Sequence, residues 1–113
     1  PSPTPTSPFS YAAPTLIAPR DGAIFHGEEA RIALQWTSVA ILKEGEWYEV
    51  KVWSKNPSDA QLFWTKATRW ILPADMYPED GDNLFYWNVS IVYRARRTIS
   101  LSPAGNMRRF YWY

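Results

Sequence analysis

The sequence predicts an all-β fold, a seven-stranded antiparallel β-sandwich, and three observations point to it. Turn residues recur at about the 8 to 12 residue spacing that separates short strands. The runs between them are rich in β-branched and aromatic side chains, which fit a pleated, half-buried surface. Within those runs apolar side chains alternate with polar ones at a period of two, while helical periodicity is weak throughout. The 113 residues suffice for one domain with one core. Apolar residues make up 46% of the chain, with 7 Trp, 7 Tyr and 5 Phe among them, so a large-volume interior is available.

Taken in order, residues 1–8 read PSPTPTSP. Proline fixes φ and removes a backbone donor, so this stretch is expected to be an extended, semi-rigid spacer, with residues 1–13 forming a linker and 14–113 the sandwich. Strands are expected over 15–18, 31–37, 46–54, 61–66, 69–72, 84–94 and 107–113. Breaks fall at Pro19-Arg20-Asp21-Gly22, Lys43-Glu44-Gly45-Glu46, Asn56-Pro57-Ser58-Asp59, the long crossing 73–83, and Ser102-Pro103-Ala104-Gly105-Asn106. Alternation assigns the inward faces: Ile32, Leu34 and Trp36; then Tyr48, Val50 and Val52; then Phe85, Trp87, Val89 and Ile91; then Phe110 and Trp112. The last pair carries the pattern to the end of the chain, so the domain is expected to be complete. With no initiating Met and no signal-peptide pattern, the chain reads as a piece of a larger or processed polypeptide.

Several of these runs carry a family resemblance. Ile32-Ala33-Leu34-Gln35-Trp36 resembles the second strand of a fibronectin type III domain, Tyr48-Glu49-Val50-Lys51-Val52 its third, and Leu72-Pro73 followed by Tyr86-Trp87-Asn88-Val89 the approach to its sixth. The opening Pro14-Thr15-Leu16-Ile17-Ala18-Pro19-Arg20-Asp21-Gly22 and the closing Phe110-Tyr111-Trp112 are similar to such repeats in bacterial surface proteins. The resemblance implies a fibronectin type III or immunoglobulin-like module, extracellular or at the cell surface. One departure stands out: residues 73–83 intervene where the family has a tight corner, so its hydrogen-bonded tyrosine has no assigned position here.

The residue types exclude much chemistry. With no cysteine there is no disulfide framework, no thiol nucleophile and no Cys-ligated metal. His26 is the only histidine, which excludes paired-His metal sites, and no nucleophile-elbow or glycine-rich phosphate loop accompanies it. The chain is therefore expected to be non-enzymatic, with no cofactor. Glu79-Asp80-Gly81-Asp82-Asn83 is oxygen-rich in the way calcium accepts, but it lacks the EF-hand spacing, and a solvated crossing loop is the simpler reading. Arg94, Arg96, Arg97, Arg108 and Arg109 flank the last hairpin, where they either clamp anions or protect a sheet edge. A net charge of only +1 argues against a nucleic-acid partner. Asn88-Val89-Ser90 matches a glycosylation acceptor but falls in an expected central strand. No apolar run approaches the roughly 20 residues that cross a bilayer as a helix.

The outward parity carries a surplus of aromatics. If the third, sixth and seventh segments are neighbours, Trp53, Tyr86, Tyr111 and Tyr113 share one end of an exposed sheet. Trp47 then falls at the other end of that face, near Arg94 and Arg109. Exposed aromatic clusters mark protein contacts or stacking platforms for sugars, whereas cross-strand pairing of the same rings only stabilises the sheet. The expected partner is protein, a neighbouring domain or another copy of the chain, with polysaccharide the alternative.

Overall fold

The computed structural model describes residues 9–78 and 81–113. The spacer expected at 1–8, and Glu79 and Asp80 of the acidic loop, lie outside the described residues. Among the described residues there are nine strands: β1 Leu16–Ala18, β2 Ala23–Phe25, β3 Ala33–Trp36, β4 Glu46–Trp53, β5 Gln61–Thr65, β6 Arg69–Ile71, β7 Leu84–Arg94, β8 Thr98–Ser100 and β9 Arg108–Trp112. They form two sheets, β1-β3-β6 and β2-β9-β7-β4-β5, with β8 pairing on β7.

Two corrections to the expected architecture follow, in strand number and in strand direction. β2 and β8 were not expected as strands, and β2 runs parallel to β9, with Ala23 opposite Phe110 and Phe25 opposite Trp112. Both are three-residue strands that exist through a neighbour rather than through their own pattern. Gly22, at φ +84°, turns the chain onto the β9 edge, where its amide donates to the Arg109 carbonyl at 2.9 Å.

The period-two pattern gives the core its composition. Along β7, Phe85, Trp87, Val89 and Ile91 are buried while Tyr86, Asn88 and Ser90 between them are only half-buried. The β4 register sets Val50 opposite Val89 and Val52 opposite Trp87, so both strands turn the same face inward. Leu16, Leu34 and Trp36 of the smaller sheet join that core from the other layer. Trp36 meets Tyr48 edge-on with ring centroids 5.6 Å apart, and Phe63 of β5 stacks on Trp70 of β6 at 5.3 Å. These aromatic contacts tie the two layers together, and each fully buried large apolar side chain stabilises the fold by ~1.5–3 kcal/mol.

Candidate functional site

The outward face of the larger sheet is fixed by the same registers that fill the core. Trp47, Glu49, Lys51 and Trp53 of β4 face outward opposite Val92, Ser90, Asn88 and Tyr86 of β7. On the other flank of β7, Leu84 lies opposite Tyr111 and Tyr86 opposite Arg109. β7 therefore runs from an aromatic end, at Leu84 and Tyr86, to a second end at Arg94.

At the first end the structure brings the expected rings together as two stacked pairs. Trp53 and Tyr86 stack with centroids 5.8 Å apart, and Tyr111 and Tyr113 lie parallel at 6.3 Å. Trp53 is not exposed as expected: it retains 9% of its accessible surface, with Tyr86 against its ring and the Lys51 ammonium 5.5 Å from its centroid. Tyr113, at 48%, is the most open ring of the four, and Tyr86 and Tyr111 are half-buried. His26 extends the second pair by stacking on Tyr113 at 5.8 Å, and among the described residues no side-chain hydrogen bond engages it. Exposed Ile24, opposite Tyr111 across the β2–β9 pairing, adds apolar surface. Beside the tyrosines, Leu84, Lys55, Asp82 and Asn83 border a cleft of about 380 Å³.

Arg109 belongs to this end and not, as expected, to the Trp47 end. Its amide donates to Asp21 Oδ1 at 2.8 Å, and its guanidinium reaches Oδ2 at 3.4 Å. Those two bonds hold the Asp21 carboxyl below its ordinary value, the amide first, and the carboxylate raises the guanidinium in turn. Alternation gives the face of a side chain but not its height along the neighbouring strand, which is why the sequence misplaced it.

At the Arg94 end, tryptophan and cation lie in pairs. The Lys66 ammonium sits 4.4 Å from the centroid of Trp47 and donates to the carbonyls of Lys43 and Glu46. The Arg94 guanidinium lies 3.7 Å over Trp64, whose indole N–H donates to Glu49 Oε2 at 3.0 Å. Trp47 and Arg94 thus share an end, but each is engaged by a different partner. Trp64 was missed, although the adjacent Phe63-Trp64 pair on one strand obliges one ring to face outward. Below them, the Tyr11 hydroxyl at 2.6 Å and the Lys43 amide at 2.8 Å donate to Glu46 Oε1. The Tyr11 bond, then the amide, holds the Glu46 carboxyl below the usual glutamate range, and the same bond raises the Tyr11 phenol.

The acidic loop uses its described residues structurally. Asp82 pairs with Lys55 at 3.0 Å, and the Asn83 amide donates to the Trp112 carbonyl at 2.7 Å. Among the described residues no group of three or more His, Cys, Asp or Glu side chains is placed to hold a metal ion. Among them, too, no helix is long and apolar enough to cross a membrane.

The chain is an all-β domain of two sheets packed on a shared aromatic core, with a second set of aromatics on the outward face of the larger sheet. Comparison with protein-family models, with curated proteins and with solved structures gives no significant match.

Proposed function

We propose that this chain is a non-catalytic interaction or spacer module of a modular extracellular or cell-surface protein, of the fibronectin type III or immunoglobulin-like kind. The strand order supports the family reading. β1-β3-β6 repeats the A-B-E neighbours of immunoglobulin-like sandwiches, and β9-β7-β4-β5 their G-F-C-C′ neighbours. The outward tyrosine face carries the functional reading. Tyr111 and Tyr113 lie beside exposed Ile24 on a sheet whose opposite face already fills the core, so the packing of this domain does not require them outward. Aromatic and aliphatic side chains grouped this way suit a protein contact, with Arg109 at the rim.

A sugar platform is the second reading, and it is weaker because the Trp53 ring, the largest of the group, is covered by Tyr86. The test is the double variant Tyr111→Ser with Tyr113→Ser, measured by sedimentation at about 500 mM salt, where contacts between exposed charges are screened, for self-assembly and by affinity electrophoresis on polysaccharide gels. The proposal expects assembly to weaken at least tenfold with no change in gel mobility. Unchanged assembly in a folded variant contradicts it, and gel retardation abolished by the substitutions moves the assignment to carbohydrate.

A further inference from the structure

The charges of the chain separate along β7. Its eleven residues span roughly 35 Å at about 3.3 Å each. At the Arg94 end the fold gathers Lys43, Lys66, Arg69, Arg94, Arg96 and Arg97, all exposed. Glu44, Glu46 and Glu49 are the carboxylates beside them, Glu46 bonded to Tyr11 and Glu49 to the Trp64 indole. At the Leu84 end lie the exposed carboxylates Glu28, Glu29, Asp59 and Asp75, with Arg31 nearby, Lys55 engaged by Asp82 and Arg109 by Asp21. The net charge of +1 thus hides a basic pole and an acidic pole.

Each pole also has a shape. The β7–β8 hairpin closes where Arg94 faces Thr98, and residues 93–100 are exposed along its whole length. Among the described residues the ion pairs are Lys55–Asp82 and Arg109–Asp21, so neither Arg96 nor Arg97 has a carboxylate partner among them. At the opposite pole, Asp59 and Asp75 line one cleft of about 320 Å³ with Trp53, Gln61, Met76 and Phe85. Both aspartates stand on short 3-10 turns, Pro57–Asp59 and Ala74–Met76, and the Asn56 side chain caps the first of these by accepting from the Ser58 amide at 3.0 Å.

We infer that a second copy of this chain docks head to tail, placing its Arg96–Arg97 hairpin in the Asp59–Asp75 cleft. The hairpin and the cleft are complementary in charge, neither has an ion-pair partner among the described residues, and the length of β7 keeps them from meeting within one molecule. Guanidinium–carboxylate contacts are among the stronger charge-assisted hydrogen bonds and fix orientation as well as affinity. Because the two surfaces differ, the contact is heterologous and propagates into an open chain of molecules. Tyr11 lies at the basic pole, beside Glu46, and Tyr113 at the acidic one, so successive molecules would follow the direction of the polypeptide. The docking surface shares Trp53 with the aromatic end of the sheet but neither Tyr111 nor Tyr113, and the inference does not rest on the function proposed above.

The test is sedimentation velocity over a range of protein concentration, at about 20 mM and about 500 mM salt, because exposed charges are screened at the higher value. Wild-type chain is expected to associate in low salt and at least tenfold more weakly in high salt. Arg96→Glu with Arg97→Glu, and separately Asp59→Lys with Asp75→Lys, should each lose the salt-dependent association with an unchanged circular dichroism spectrum. An equimolar mixture of the two should associate again, since each then offers the other a complementary surface. The tyrosine double variant should keep this salt-dependent association, because its substitutions leave both charged poles intact. A wild-type chain that stays monomeric in low salt overturns the inference, as does salt-dependent association that survives either reversal or fails to return on mixing.

Discussion

Trp112→Phe, compared with Trp87→Phe, isolates one hydrogen bond in the core. Both indoles are fully buried. The Trp112 N–H donates to the Gly27 carbonyl at 2.7 Å, tying β9 to the turn after β2, whereas the Trp87 N–H has no acceptor among the described residues. Shrinking indole to phenyl leaves roughly 40 Å³, which at ~24 cal/mol per Å³ costs about 1 kcal/mol. The lost ring atoms remove about 1 kcal/mol more of transfer free energy. These terms are common to both sites, so Trp87→Phe should cost about 2 kcal/mol. Trp112→Phe also forfeits its hydrogen bond, worth ~1 kcal/mol net, and should cost about 3 kcal/mol. In urea, with a slope of roughly 1–2 kcal/mol per M for a domain of this size, the midpoints should differ by about 0.5–1 M with equal slopes. A Trp87→Phe variant that is as destabilised as Trp112→Phe, or more so, refutes the reasoning.

Three further outcomes follow from the same geometry. Gly45→Ala places a Cβ 2.6 Å from Tyr93 Cε2 at a φ of +82° and should cost about 2 kcal/mol; Tyr93→Ser should recover the steric part in a double-mutant cycle of urea midpoints. Arg94→Ala should lower stability by ~0.5–1 kcal/mol and shift the emission of Trp64, whose ring then loses its cation. Because the folded-state value of Glu46 is depressed, its stabilising contribution is complete above the ordinary glutamate range and lost as pH falls through the depressed value. Tyr11 is raised, so its share is complete below the ordinary phenol range and lost as pH rises through the raised value; Glu46→Gln should flatten both limbs of the urea midpoint against pH.

Much of the fold was legible because burial enforces alternation. Ile32, Leu34, Trp36, Tyr48, Val50, Val52 and the inward residues of β7 and β9 are all buried, as the period-two reading assigns them. The boundaries of β7 coincide with the expected segment, since a long central strand paired on both sides has the strongest pattern to read. β2 and β8 were illegible for the opposite reason. Ala23-Ile24-Phe25 and Thr98-Ile99-Ser100 are too short for a period to show, and pairing with β9 and β7 makes them strands.

The outward face was read in parity but not in height or cover. Trp53 does lie opposite Tyr86, yet being on the outward side did not leave it open, because the neighbouring ring lies against it. Arg109 had the right face and the wrong end, which only the β7–β9 register decides. The cation–tryptophan pairs at the Arg94 end depend on long side chains reaching across strands, and no spacing in one sequence encodes that reach.

The pairing of β4 with β7 sends one set of aromatics into the core and the other outward. Cross-strand nuclear Overhauser contacts between backbone protons test it directly. The structure predicts contacts that place Val50 opposite Val89 and Trp53 opposite Tyr86. A register displaced by one residue, setting Val50 against Asn88 or Ser90, would turn the tyrosine face inward and contradict it.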